Sequence, residues 1–266
     1  MPCMQPAQRP NSSTKARPPQ SAGEQAGAAG AACAAARAAG VLRQRVALEL
    51  PPVFASGLDD WPGGVRQQYT VLAECPLPDG GTFMSTVLDG ASGGASVAGE
   101  RSKTVLDLGD AVVEHVSEQA WTVSFPTADT LRTVRQAAEI CDRQGTACVL
   151  VNPQWSAQGS QVISDFGVGP WAREAYDFLD SFVPVFVFRK VRLEGRQVAV
   201  LRAYPGDFEA FVIQSPEDGG DVHLGSFGAR DPTFDDLKAA LERMFGPISV
   251  FERLRMEAEW NAKNVQ

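Results

Sequence analysis

The order strand, helix, strand over residues 120–153 constrains the fold of this chain more than any other feature. A short apolar segment, AWTVSFP, comes first, and the continuous apolar run ACVLVNP comes last. Between them lie apolar side chains at helical spacing: Leu131, Val134, Ala138 and Cys141. A continuous apolar run is typical of a buried strand, and strands joined through a helix pair in parallel. The pattern therefore predicts a βαβ unit.

Three apolar segments after residue 182 follow a different pattern. They are VPVFVFRKVRLEG, RQVAVLRAYPG and DFEAFVIQ, and they are separated by turn signals at Glu194-Gly195 and Pro205-Gly206. Short turns join antiparallel strands, so these segments predict a meander. The predicted fold class is therefore α/β, a mixed sheet with a parallel βαβ part followed by an antiparallel meander, with helices packed on the sheet.

Four further segments carry the periodicity or the capping signals of helices. The first is Ala-rich, covers residues 21–39 and leads into a predicted strand, RQRVALELPP. The second starts near Pro170 and is predicted to bury Trp171, Ala175, Phe178, Leu179 and Phe182. The third is capped by Thr233 and is predicted to bury Phe234, Leu237, Leu241 and Met244. The fourth covers about residues 249–260.

The domain organisation follows from composition. Residues 1–20 contain Arg, Lys, Ser and Thr but no acid, a composition shared by organelle transit peptides and disordered tails, and both interpretations stay open. Residues 21–260 are predicted to form a single α/β domain, in which the Gly/Ser-rich tract 90–100 is a mobile loop. The pattern does not order the elements between residues 54 and 104.

Charge and cysteine content narrow the class of protein. The formal net charge is -8, although the first 45 residues hold six basic side chains against one acid. An acidic body repels phosphate backbones, so we expect no nucleic-acid partner. No apolar run approaches the roughly 20 residues of a spanning helix, so we expect a soluble protein without a transmembrane segment. The five cysteines form no CxxC pair, which fits a reducing compartment.

No catalytic constellation is visible in the sequence. His115 and His223 are the two histidines, and neither has a partner at metal-ligand spacing on a shared helix. No G-x-S-x-G elbow marks a nucleophile. We therefore predict no catalytic residue, no metal and no cofactor, and the sequence leaves open whether the protein is an enzyme.

One loop gathers polar and aromatic residues beyond a predicted parallel strand. Ligands of open α/β sheets bind outside the carboxyl ends of strands, and this loop, residues 152–174, begins at such an end. The candidate binding residues are Asn152, Trp155, Asp165, Arg173 and Glu174. In the alternative interpretation the loop is structural, with Trp155 in the core and Asp165 in a local turn. Both interpretations stay open.

With these segments placed, the sequence resembles a domain-of-unknown-function family of chloroplast and cyanobacterial proteins, which includes the Low PSII Accumulation type of photosystem II assembly factor. The resemblance rests on VALELP, AWTVSFP and VLVNPQW, followed by DFGVGPWAREAYDFLDSFVPVFVFRKV, and runs from about residue 19 to about residue 255. It implies a plastid protein, in the stroma or on the stromal face of the thylakoid. Members also resemble modules appended to other plastid enzymes, which is more typical of an interaction domain than of a catalyst.

Two hypotheses of function follow. The first is a non-catalytic plastid protein that binds a protein partner, a photosystem or thylakoid assembly component, and it leaves peripheral association with the thylakoid open. The second is an enzyme or sensor that binds a small phosphorylated or nucleotide ligand at the loop 152–174.

Overall fold

The computed structural model describes residues 17–49, 77, 84, 86–87, 102–105, 112–117, 120–155, 169–214 and 219–264. The strands are β1 (Arg43–Ala47), β2 (Ser102–Val105), β3 (Val112–Ser117), β4 (Ala120–Ser124), β5 (Ala147–Val151), β6 (Val183–Leu193), β7 (Arg196–Ala203), β8 (Glu209–Val212) and β9 (Val222–Ser226). The helices are α1 (Ala22–Ala38), α2 (Leu131–Gln144), α3 (Pro170–Asp180), α4 (Phe234–Phe245) and α5 (Val250–Asn264).

The described strands form one mixed sheet of nine strands, in the order β2-β3-β4-β5-β1-β6-β7-β8-β9. The four central strands β4, β5, β1 and β6 pair in parallel. The strands β6 to β9 pair in antiparallel fashion, as do β2, β3 and β4 at the other edge. The predicted α/β class, with a parallel part followed by a meander, is confirmed.

The βαβ unit consists of β4, α2 and β5. The side chains of β5 are all buried, as its continuous apolar run predicts. Helix α2 ends at Gly145, whose φ of 66° is the left-handed conformation that glycine adopts without steric cost. The unit contributes two of the four parallel strands. The other two are β1 and β6, and β1 lies between β5 and β6. The sequence pattern predicted β1 as a strand but not its position at the centre of the sheet.

Helix α1 covers one face of the sheet. Ser21 caps it, because the Ser21 hydroxyl accepts a hydrogen bond from the backbone N–H of Glu24 at 3.1 Å. Its buried face consists of small side chains: Ala26, Ala29, Ala32, Cys33 and Ala36. Short side chains allow a helix to approach the sheet closely. The predicted Ala-rich helix is therefore a packed part of the core.

The opposite face carries two separate apolar clusters. Helices α2 and α3 cover β4 and β5, around Leu150, Leu179 and Phe182. Helix α4 covers the meander, around Val200, Phe208 and Leu241. Alternation along the strands separates these side chains from those that face α1. On this face, β1 and β6 therefore lie between the part of the sheet covered by α2 and α3 and the part covered by α4. We call these two groups of helices the two helical layers.

The predicted helix faces were wrong at three aromatic or sulfur-containing side chains. Trp171 is 64% exposed, Phe234 is 60% exposed and Met244 is 44% exposed. In α3 the buried stripe runs through Ala172, Ala175, Tyr176 and Leu179. Ala175 and Leu179 are therefore buried as predicted, and so is Phe182 just beyond the helix. In α4 only the middle turns lie over the sheet, through Leu237, Ala240 and Leu241, so the two terminal side chains project past it.

Two other expectations concern residues outside the described part of the chain. The Gly/Ser-rich tract 90–100 lies outside it, and so does most of the predicted leader 1–20, of which only residues 17–20 are described.

Among the helices of the described residues, none has the length and apolar character needed to cross a membrane. The cap at Thr233 is confirmed, since its hydroxyl accepts a hydrogen bond from the backbone N–H of Asp236 at 3.2 Å.

Candidate functional site

Asn152, the first of the predicted binding residues, extends the sheet beyond the end of β5. Its side-chain Oδ1 accepts a hydrogen bond from the backbone N–H of Leu48 at 2.6 Å, and its Nδ2 donates one to the Leu48 carbonyl at 3.0 Å. Its own backbone N–H donates to the Val46 carbonyl at 2.9 Å. The amide thus takes the place of a strand residue opposite the end of β1. Both of its polar atoms are committed to this backbone.

Arg173 and Glu174 lie on the first turn of α3, and both are exposed. The Glu174 carboxylate accepts a hydrogen bond from Arg135 of α2 at 2.7 Å, which joins the two helices at the surface. Arg173, together with Gly169, Pro170, Glu174 and Asp177, lines an open depression. Its guanidinium makes no hydrogen bond or ion pair within the part of the chain that the structure describes.

The remaining two predicted residues are Trp155 and Asp165. Trp155 is partly buried and packs against the cluster of α2 and α3. Asp165 lies outside the described residues. The hydrogen bonds of Asn152 go to Leu48 and the ion pair of Glu174 goes to Arg135, so these two side chains serve different elements. A binding site in this loop stays a prediction.

A second group of polar residues, which the sequence analysis missed, lies on the sheet itself. Arg45, Arg189 and Arg202, here called the arginine cluster, belong to the neighbouring strands β1, β6 and β7. They lie on the face of the two helical layers, because their sequence neighbours on these strands point into the α1 cluster: Val46, Phe188 and Leu201. The available signal was an arginine on each of three predicted strands, next in sequence to an apolar residue that points to the other face.

The arginine cluster surrounds Asp231, which lies between β9 and α4. Arg189 binds both carboxylate oxygens of Asp231, with Nη1 donating to Oδ2 at 2.9 Å and Nη2 to Oδ1 at 2.8 Å. Arg202 donates from Nη1 to the Ala229 carbonyl at 3.0 Å, and its guanidinium lies 5.0 Å from the Phe208 ring centroid. One arginine therefore forms a bidentate ion pair, and another is held against an aromatic face.

Burial is the main cause of the pKa shifts in this cluster. Burial lowers the pKa of Arg45, Asp231 and Asp180 oppose that effect, and Arg189 adds to it. Burial also lowers the pKa of Arg202, and the charge that opposes this effect most is that of Asp207. The Arg202 Nε is buried and has no hydrogen-bond partner among the described residues. The cluster thus holds cationic groups whose hydrogen-bonding capacity is only partly used.

An exposed apolar surface occupies the C-terminal part of the chain. It consists of Met244, Phe245, Val250, Phe251 and Leu254, and we call it the C-terminal apolar surface. Phe251 is 86% exposed, the most among the exposed large apolar side chains described. Helix α5 is attached to the turn between β6 and β7, where Arg253 pairs with Glu194 at 3.9 Å. Met244 and Phe245 belong to the end of α4, and the other three exposed side chains belong to α5, which is fixed to the fold by this contact.

The described residues contain no group of three His, Cys, Asp or Glu side chains that could hold a metal ion. His223 pairs instead with Glu209 on the neighbouring strand β8, at 2.5 Å. His115 lies on β3, where only the backbone is described.

Comparison with known proteins identifies the family. The family model described as domain of unknown function (DUF1995) matches residues 19–239. No curated protein and no solved structure matches the chain. The matched region contains the arginine cluster and the first half of α4, whereas the C-terminal apolar surface lies beyond it. Because the match covers well over half of the chain, the protein belongs to the DUF1995 family of domains of unknown function.

Proposed function

We propose that this protein is a non-catalytic component of photosystem or thylakoid biogenesis that binds a protein partner in the chloroplast, in the stroma or on the stromal face of the thylakoid. The observation that carries the binding role is the C-terminal apolar surface. The plastid setting comes from the resemblance to the Low PSII Accumulation type of assembly factor. The family match itself names no activity.

The exposure of this surface supports a binding role. Val250 and Leu254 are 61% and 54% exposed, and Leu254 follows Val250 by four positions and Phe251 by three, so it neighbours both on the surface of α5. Fully burying one such side chain contributes about 1.5 to 3 kcal/mol. A partner that covers these three residues therefore gains several kcal/mol before the cost of association. Large exposed apolar patches on a folded protein mark interaction sites.

The charges around the surface favour a protein over a lipid bilayer. Among its described side chains, helix α5 carries three acids, Glu252, Glu257 and Glu259, and two basic residues, Arg253 and Arg255. Helices that bind anionic membranes have an excess of Lys and Arg beside the apolar face. A balanced polar rim around an apolar centre is typical of protein interfaces. The partner we propose therefore presents an apolar segment with mixed charges at its border.

Affinity capture from plastid stroma and solubilised thylakoids tests the proposal. The full chain is expected to enrich a photosystem subunit or assembly protein, and the double variant Phe251→Ser, Leu254→Ser is expected to lose it. Trp171→Ser is the matched control, since Trp171 is a comparably exposed aromatic side chain on α3. Enrichment that is unchanged in the double variant, or no photosystem or assembly protein at all, would contradict the proposal. Binding to thylakoid-lipid vesicles alone would point to a membrane instead.

A further inference from the structure

One carboxylate, that of Asp231, acts on all three arginines of the arginine cluster. Asp231 forms its hydrogen bonds with Arg189, and it also acts electrostatically on Arg45 and Arg202. We propose that the arginine cluster is a binding site for the phosphate group of a small ligand, held by Arg45 and Arg202 beside the Arg189–Asp231 ion pair. This site is separate from the C-terminal apolar surface and does not depend on the proposed partner.

The hydrogen-bonding capacity left in the cluster supports the proposal. The Arg45 side chain takes part in no hydrogen bond or ion pair among the described residues, although it is partly buried. A guanidinium carries five N–H donors in a planar fork that matches phosphate oxygens. The Arg202 Nε is a second donor without an acceptor in the described part of the chain, and it is buried. Buried donors are normally paired, so the Arg202 Nε calls for an acceptor, and the unbonded Arg45 guanidinium lies on the same face of the sheet.

The charge balance favours phosphate over a carboxylate. Of the described acids, Asp231 alone is hydrogen-bonded to an arginine of the cluster, and its partner there is Arg189. The other acids that act on the cluster, Asp180 and Asp207, have exposed side chains, so solvent screens them. The carboxylate bonded within the cluster therefore offsets one of its three positive charges, and the two exposed acids offset the remainder only in part. A phosphate monoester carries a charge of about −1.5 to −2 at neutral pH, with three strong acceptor oxygens.

The cluster has an exposed part, through which a ligand can enter, and a buried part, which can hold it in place. The Arg189 and Asp231 side chains are 38% and 35% exposed. Arg202 is buried at 7% exposure and lies against the Phe208 ring, which fixes the plane of its guanidinium. A phosphate group that enters beside the exposed ion pair thus meets donors that are already oriented. Such preorganisation lowers the entropy cost of binding.

Calorimetric titration of the full-length protein with inorganic phosphate, at constant ionic strength, tests the site. We expect saturable binding that Arg45→Gln weakens by at least about tenfold, since a charge-assisted fork is lost. Arg45→Lys keeps the charge but loses the planar fork, so its affinity for phosphate is expected to lie between those of the unmodified protein and Arg45→Gln. It also tests the site if Arg45→Gln fails to fold. Circular dichroism of each variant checks folding.

The control measurements distinguish the arginine cluster from the loop 152–174 as the place where phosphate binds. Arg173→Gln removes the exposed arginine of the loop and is expected to leave phosphate binding unchanged. Loss of binding in Arg173→Gln, with Arg45→Gln unaffected, would assign phosphate to the loop and overturn the proposal. Absence of saturable phosphate binding in the unmodified chain would overturn it as well. Acetate that binds as tightly as phosphate would overturn the assignment of a doubly charged ligand.

Discussion

Asn152 stabilises the end of the parallel ladder through its side chain, and this can be measured. Its φ of 46° is tolerated by asparagine better than by alanine, and its amide satisfies both polar groups of Leu48. We expect Asn152→Ala to lower the free energy of unfolding by about 2 to 3 kcal/mol, because it leaves two backbone groups unpaired and strains φ. Urea denaturation measures this loss.

Asn152→Gly separates the two contributions. Glycine adopts a positive φ without steric cost. The loss of stability that Asn152→Gly shares with Asn152→Ala therefore comes mainly from the missing side-chain amide. If Asn152→Gly is as stable as the unmodified protein, the amide contributes nothing and its bonds to Leu48 are irrelevant to stability. Retained phosphate binding in both variants is expected, since neither touches the arginine cluster.

The three buried thiols of the described residues differ in pKa. Burial raises the pKa of the Cys33 thiol to about 12. A hydrogen bond between the thiols of Cys141 and Cys148 lowers the pKa of Cys141 and raises that of Cys148, to which burial adds. Because the thiolate is the nucleophile, iodoacetamide at mildly alkaline pH should modify Cys141 before Cys148 and Cys33. Peptide mass spectrometry gives the order, and earlier labelling of Cys33 would contradict it.

At the residue scale, the local sequence predicted where individual side chains lie along the strands, but not which residues they contact. The position of Asn152 after an apolar run predicted the end of a strand, whereas Leu48 is 104 residues away in sequence. Alternation in RQRVALE places Arg45 opposite Val46, but it does not say which face meets solvent. That depends on where β1 lies in the sheet. Both the role of Asn152 and the arginine cluster therefore required tertiary structure.

At the scale of elements, the turn between β6 and β7 provides the attachment of α5. Gly195 has a φ of 73°, and a Cβ there would lie 2.9 Å from the Met256 Cβ. Arg192 also donates to the Met256 carbonyl at 3.4 Å. Gly195→Ala should therefore loosen α5 and cost about 1 to 2 kcal/mol from the backbone conformation alone. Hydrogen-exchange measurements are expected to show that the amides of α5 exchange faster than in the unmodified protein.

Gly27→Ala is the matched control for this substitution. Gly27 is exposed on α1, and a Cβ added there would meet no neighbouring side chain of the described residues within 4 Å. Alanine at this position should therefore stabilise the protein by about 0.5 to 1 kcal/mol. Unchanged exchange in α5 after Gly195→Ala would show that Met256 does not hold the helix on this turn.

The elements differed in how well their sequence predicted them. The unit β4, α2 and β5 and the strands β6 to β8 were predicted because their periodicity and turns are local. The strand β9 was not predicted, since VHLGS has few apolar residues and only Leu224 among them is buried. In α3, Ala175 and Leu179 are buried as predicted, whereas Trp171 is exposed. Ala172 and Tyr176 complete the buried stripe instead.

At the scale of the whole molecule, β1 joins two halves of the sheet. On one side it pairs with β5, and through it with β4 and the helices α2 and α3; on the other side it pairs with β6 and the meander. Helix α1 packs on the same central strands. The two helical layers on the opposite face form separate apolar clusters. Cooperativity between the halves therefore depends on β1 and α1.

Val46→Ala tests this coupling. Val46 is fully buried, and its Cα pairs with those of Val151 on β5 and Phe186 on β6. Removing two methyl groups from such a position should cost about 2 kcal/mol, as lost burial and a residual cavity. If the sheet unfolds as one unit, native-state hydrogen exchange should show the same loss of protection at Val149 and at Val200, one in each half. A loss confined to one of these amides would mean that the halves unfold separately and that β1 belongs to only one of them.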